Sequence, residues 1–188
     1  MRLFVALDIP ENVRTAIEKF VAPLRALHRE ARWVHIGNTH VTLKFIGEVD
    51  PGKLAEIEAA LATIRPGSPI EIQFRGVGFF PDERRPRVFW TGIAAGDELR
   101  QLAANVDAVL EPLGIAKDHR AFSPHLTLAR FESPRGLDRL GEAIAAARPL
   151  EFGKVVERQF HLYQSVLKRG GAEYTRLATF SLEGDVPQ

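Results

Sequence analysis

The chain has 188 residues, 45% of them hydrophobic and 26% charged, and its 25 basic against 24 acidic side chains leave a formal net charge of +1. That balance fits an ordinary soluble globular protein and excludes the dense basic coat of a general nucleic-acid binder. Without a cysteine there is no disulfide, thiol nucleophile or cysteine-held metal. No stretch approaches the roughly 18 apolar residues of a membrane span, and an apolar start broken at Asp8 predicts a cytoplasmic protein.

Leu3 to Leu7 reads as a buried strand, stopped by Asp8 and Pro10. Val13, Ile17, Phe20, Val21 and Leu24 then follow helical spacing from Glu11 to about Leu27, with Pro23 predicted to kink or shorten the helix. Trp33-Val34-His35 is a short extended piece. From His40 to Phe45 polar and apolar residues alternate, the pattern of a strand with one face turned to solvent or a cleft. Asp50-Pro51-Gly52 opens a helix whose apolar stripe is Leu54, Ile57, Leu61 and Ile64. Strands follow from Ile70 to Val77 and from Arg87 to Ile93, then a helix from Asp97 to about Leu110. His125 to Leu128 alternates again, and Leu137, Leu140 and Ile144 mark another helix. The chain closes in strands near 150–156, 159–165 and 174–182.

In that order the elements repeat. Strand, helix, alternating strand, helix and strand occur once over about 2–85 and again over 87–182. Arg2 and Phe4 match Arg87 and Phe89, and His40, Thr42 and Leu43 match His125, Thr127 and Leu128, all in one register. Strands interleaved with helices and joined by hairpins predict an α+β fold. It would have two pseudo-symmetric lobes in one 1–188 unit, each an antiparallel sheet with helices on its outer face and the active-site cleft between them.

Residues two apart in a strand share a face, so His40 projects with Thr42 and His125 with Thr127. If both faces meet across the cleft, two imidazoles and two hydroxyls surround one point. Phosphodiester cleavage needs such a set: one imidazole takes a proton from the nucleophile, the other protonates the leaving oxygen, and hydroxyls bond the phosphoryl oxygens as charge builds. Histidine, with an ordinary pKa near 6.5, suits both tasks.

The two His-x-Thr tetrads resemble those of the 2H phosphoesterase superfamily, and specifically its RNA 2′,3′-cyclic phosphodiesterase (2′-5′ RNA ligase) family. Met1 to Asp8, Arg32-Trp33-Val34, Thr39 to Gly47, Pro86 to Trp90, Pro124 to Arg130 and Leu162 to Ser165, with Gly171 and Tyr174, fit the same resemblance. It implies that His40 is the proton donor and His125 the proton acceptor, with Thr42 and Thr127 on the phosphate. The implied reaction opens a 2′,3′-cyclic phosphate on RNA to a 2′-phosphomonoester, without metal or cofactor. Family members also join tRNA halves through a 2′-5′ linkage, with a 5′-hydroxyl replacing water. The expected partner is an RNA end, and the expected state a monomer.

Three further residues are candidates for the substrate. Arg130 offers a planar fork for phosphate, but strict alternation puts it opposite His125, so a bulge or twist is required. Phe45 could stack on a base, although parity with Leu43 assigns it to the core. Tyr163 lies on a strand near the cleft, where a buried tyrosine with a satisfied hydroxyl is the alternative. His28, His35, His119 and His161 have no repeat partner and receive no catalytic role. Basic clusters at Arg84, Arg85 and Arg87, at Arg130, Arg135 and Arg139, and at Lys168 and Arg169 permit a small RNA footprint. Two other readings stay open: a related phosphodiesterase for ADP-ribose 1″,2″-cyclic phosphate or 2′-5′ oligonucleotides, and a non-catalytic RNA-end-binding module.

Overall fold

A computed structural model describes residues 1–65, 67–119, 121–133, 137–147, 150–169 and 171–183. Its strands are β1 (Arg2–Leu7), β2 (Arg32–Trp33), β3 (Val41–Glu48), β4 (Ile70–Phe80), β5 (Val88–Ala95), β6 (His125–Arg130), β7 (Glu151–Glu157), β8 (Gln159–Lys168) and β9 (Gly171–Ser181). The helices are α1 (Glu11–Leu27), α2 (Leu54–Leu61), α3 (Asp97–Leu110) and α4 (Leu137–Ala146). Pro23 sits inside α1 without ending it.

Two antiparallel sheets result, in the orders β3-β1-β8-β9 and β2-β6-β5-β4-β7. The two halves of the sequence do not map onto the two sheets. β4, from the first half, joins the second sheet between β5 and β7, while β8 and β9 return from the second half to complete the first. Helices cross over as well: α1 packs on β7 and α4, and α3 on β3 and α2. Each lobe therefore contains chain from both halves.

The crossover shapes the core. Phe20 of α1 reaches Phe152 of β7 at 5.3 Å and Phe89 of β5 at 6.4 Å between ring centroids. Along β1, Leu3, Val5 and Leu7 enter the main core, while Phe4 and Ala6 turn the other way and form a second cluster with Tyr163. Burial on both faces is why this strand reads as an unbroken apolar run. Each such large side chain removed from water contributes about 1.5–3 kcal/mol, so the central strands are the rigid frame from which the site residues project.

Candidate active site

Each motif strand carries the same irregularity just after its His-x-Thr. Thr42 lies opposite Ala6 and Lys44 opposite Val5, so Leu43 is an extra residue. In β6, Thr127 lies opposite Trp90 and Ala129 opposite Phe89, so Leu128 is extra. One inserted residue reverses the facing of everything beyond it. Lys44 therefore goes to the helix side, where it is 2% exposed. Its Nζ lies 2.6 Å from Asp107 of α3 and 3.5 Å from Asp118, and donates to the Ala116 carbonyl at 2.7 Å. Phe45, assigned to the core by simple alternation, instead stands opposite Phe4 on the cleft side, 66% exposed. Arg130, its counterpart in the second motif, is exposed and lines the same cleft. Just past Phe45, Gly47 adopts φ 85°, a left-handed conformation that side-chain-bearing residues avoid.

The cleft encloses about 1010 Å³ and is lined from the first sheet by His40, Thr42 and Phe45 and from the second by His125, Thr127 and Arg130. Phe80, Phe122 and Tyr174 add an aromatic border. A separate cavity of about 740 Å³ lies between α1 and residues 33–37 and contains neither motif.

His125 Nδ1 lies 2.8 Å from the Ser123 carbonyl. A carbonyl only accepts, so the neutral ring carries its proton on Nδ1 and keeps the Nε2 lone pair for chemistry. The ring sits edge-on to Phe80 at 5.0 Å. His40 immediately precedes β3. Its side chain is 10% exposed, enclosed by Tyr163, Tyr174 and Phe4 at 4.6, 5.5 and 5.8 Å between ring centroids. Burial, then the Arg14 guanidinium, push this imidazole down to about 4, against the opposing pull of Asp8. On its own at neutral pH it is uncharged, and an arriving phosphate anion favours its protonation.

Arg14 was not foreseen. From α1 it donates to the carbonyls of Ile9 at 2.9 Å, Ile36 at 2.7 Å and Gly37 at 2.6 Å, clamping the short turn Ile36–Asn38 that delivers His40. Tyr174, quoted only within the family resemblance, borders the cleft beside His40. Tyr163 differs from its expected place in the substrate site. It is 4% exposed, stacks on Phe4 at 5.2 Å and donates its hydroxyl to Asp8, so it backs the His40 ring rather than lining the cleft. His119 lines the cleft, whereas His28 and His161 are buried. Of the basic clusters, Arg130 alone is among the residues lining the cleft, and Arg135 lies outside the described residues. Among the described residues no group of three or more His, Asp or Glu side chains could hold a metal ion, and no helix is long and apolar enough to cross a membrane.

Known proteins resemble this chain in sequence and fold. The family model described as LigT like Phosphoesterase matches the chain twice, over residues 7–90 and 93–174. An RNA 2′,3′-cyclic phosphodiesterase of Methanothermobacter thermautotrophicus is 33% identical over 183 residues, covering 97% of this chain and 99% of that protein. The crystal structure of TT0787 of Thermus thermophilus superposes with a TM-score of 0.79 at 33% identity, covering 98% of this chain and 100% of the other. Escherichia coli LigT complexed with 3′-AMP gives a TM-score of 0.76 at 28% identity, covering 96% and 97%. With the family model matched over most of its length, the chain belongs to the LigT-like phosphoesterases.

Proposed function

We propose that this protein is an RNA 2′,3′-cyclic phosphodiesterase that opens the ring to a 2′-phosphomonoester by two-histidine acid–base catalysis. The observation that carries the reading is one cleft lined by both His-x-Thr faces, each followed by the same bulge. Water attacks phosphorus on the side away from the 3′ oxygen, and His125 Nε2 takes its proton. The P–O3′ bond breaks, and His40 gives its proton to the departing 3′ oxygen. Thr42 and Thr127 hydroxyls donate to the phosphoryl oxygens as the negative charge concentrates there. Arg130 holds the phosphate and Phe45 stacks on a base. The same displacement with a 5′-hydroxyl in place of water joins tRNA halves through a 2′-5′ linkage. In this reading the enzyme works as a cytoplasmic monomer, as one 1–188 unit, without metal or nucleotide cofactor. Its support comes from the named activities of full-length relatives and from a relative that binds a nucleoside monophosphate.

The test uses an oligoribonucleotide ending in 2′,3′-cyclic phosphate, incubated with the protein in excess chelator, and identifies the product isomer. A terminal 2′-phosphate is expected. No turnover, or turnover only with added metal, would overturn the reading, and a 3′-phosphate would reverse the side from which the leaving oxygen departs. Faster turnover of ADP-ribose 1″,2″-cyclic phosphate or of a 2′-5′ oligonucleotide would move the substrate class.

A further inference from the structure

Asp8 leaves β1 on the same face as Phe4 and Ala6, the face that looks toward the cleft, and four side chains converge on its carboxylate. Tyr163 donates its hydroxyl to Oδ1, and Arg176 of β9 donates from Nη2 to Oδ2. Arg176 also reaches the Tyr163 hydroxyl from Nε and from Nη2, each at 3.3 Å. His161 of β8 places Nε2 3.6 Å from Oδ2, with Nδ1 3.0 Å from Thr179 Oγ1. The last neighbour is His40, whose Nε2 lies 3.9 Å from Oδ1. The carboxylate is thus pinned by two donors from β8 and β9 and held one step behind the imidazole that must carry a proton.

We infer that Asp8 is a positioning residue for His40: fixed by Tyr163 and Arg176, its negative charge offsets part of the proton affinity that the imidazole loses in its buried, partly cationic surroundings, so that an arriving phosphate can complete the protonation. The inference rests on the acid role given to His40 above.

The groups facing His40 have opposite signs. Arg14 from α1 and Arg176 from β9 disfavour the imidazolium, and Asp8 favours it, while Phe4, Tyr163 and Tyr174 exclude water. His161 is uncharged when burial prevails, since its own imidazole is also pushed down by burial. Glu157, which feels Asp8 as well, has its carboxyl pushed up to about 7, chiefly by burial. An opposite charge about 4–6 Å away typically moves a pKa by 1–3 units. Arg176 has two effects in this arrangement: it holds Asp8 in place and partly cancels its field at His40.

A charge role makes a signed prediction that a scaffolding role does not. Asp8→Asn keeps the side-chain volume and removes the charge, so the His40 imidazole should titrate at lower pH, and the alkaline limb of kcat should move down with it. At a pH above both limbs, that is a fall of about 10-fold or more. Arg176→Gln removes the opposing cation, so the limb should move up. The measurement is ¹⁵N–¹H histidine titration by NMR for each variant, paired with kcat against pH on the cyclic-phosphate oligoribonucleotide, and circular dichroism to establish folding. Opposite displacements in the two variants are expected. Displacement in the same direction, or an unmoved His40 titration in folded Asp8→Asn, would overturn the inference. If Asp8→Asn fails to fold, Asp8→Glu, which keeps the charge on a longer arm, supplies the comparison and should retain the wild-type limb; a limb lowered by about one pH unit or more would overturn the inference. A wild-type protein inactive on the cyclic phosphate would instead remove the functional reading itself, while the NMR titrations would still decide whether Asp8 sets the proton affinity of His40.

Discussion

Lys44 ties the first motif strand to the approach of the second motif, and its replacement by methionine isolates that tie. Methionine keeps an apolar stem of similar length and removes the ammonium. The side chain is 2% exposed, so none of its partners is replaced by water at the same spot. Removing one member of a buried ion pair typically costs about 3–5 kcal/mol, because the other charge remains uncompensated. Asp107 is 20% exposed and Asp118 58% exposed, so Asp118 returns to solvent almost freely and Asp107 partly. We therefore expect a loss at or just below the lower limit, about 2–3 kcal/mol, read as a lower urea midpoint at unchanged slope. Lys44→Met with Asp107→Leu leaves no buried charge and should recover most of the loss, apart from about 1 kcal/mol for the donor taken from the Ala116 carbonyl. Because Ala116 to Asp118 leads into the segment that presents His125, the single variant should also lose kcat beyond its loss of folded fraction. A single variant within about 0.5 kcal/mol of wild type, or a double variant as unstable as the single, would refute this account of the lysine.

Other consequences follow from the same geometry. Thr42→Val and Thr127→Val should fold normally and each lower kcat on the order of 10²-fold, as loss of one oxyanion-type donor does; unchanged rates would make both threonines structural. Phe45→Ala, at a 66% exposed position, should leave stability within about 0.5 kcal/mol and raise KM for an oligoribonucleotide roughly 10-fold through lost stacking. It should spare a small aryl phosphodiester, and equal losses on both substrates would exclude stacking. Glu157 has a folded-state carboxyl at about 7 against an ordinary 4.5, so its contribution is full below the unfolded value and is lost as pH rises through 7. Glu157→Gln should accordingly gain on wild type by about 1 kcal/mol between roughly pH 5 and 8, after allowance for its partial solvation. A pH-independent difference in denaturation midpoints would contradict that. His40 acts in the opposite sense: its lowered imidazole withdraws stability as pH falls from about 6.5 through 4.

Much of the site was legible because chemistry and periodicity coincided. His40 with Thr42 and His125 with Thr127 share a face in any regular strand, and their spacing survives because the bulge begins only after each threonine. Beyond that point the sequence has no mark of the extra residue. Leu43 and Leu128 are ordinary strand residues, so parity sent Phe45 and Arg130 to the wrong side, although Arg130 was recognised as needing a bulge. Sheet membership was hidden for a different reason. The repeat order is the same whether β4 stays with its own half or crosses to β5, and only long-range pairing decides. Asp8 reads in the sequence only as a strand stop, and Arg14 carries no signal of its clamp, because their partners lie far along the chain at Arg176 and near the turn at Ile36.

The assignment of acid and base can be decided by the leaving group. Both imidazoles line one cleft with the threonine two residues on, so their placement alone does not choose between them. His125 holds its proton on Nδ1 toward Ser123, which leaves Nε2 ready to accept one from water. In the proposed acid role His40 must be charged when the 3′ oxygen leaves, yet on its own at neutral pH it is uncharged, so that role requires the substrate phosphate to bring the proton affinity that burial removes. From a 4-nitrophenyl phosphodiester the leaving group is 4-nitrophenolate, a stable anion that needs no acid. On that diester His40→Ala should approach wild-type rates, while on the cyclic phosphate the same variant should fall by about 10²–10⁴-fold. His125→Ala should be slow on both, because water still requires its base. In the pH dependence of kcat/KM, the alkaline limb should vanish in His40→Ala and the acidic limb in His125→Ala. Rescue of His125→Ala but not of His40→Ala would exchange the two roles. Rescue of neither would mean that the two imidazoles do not act as a simple acid and base, and that the shared cleft stabilises the phosphoryl charge by another division of labour.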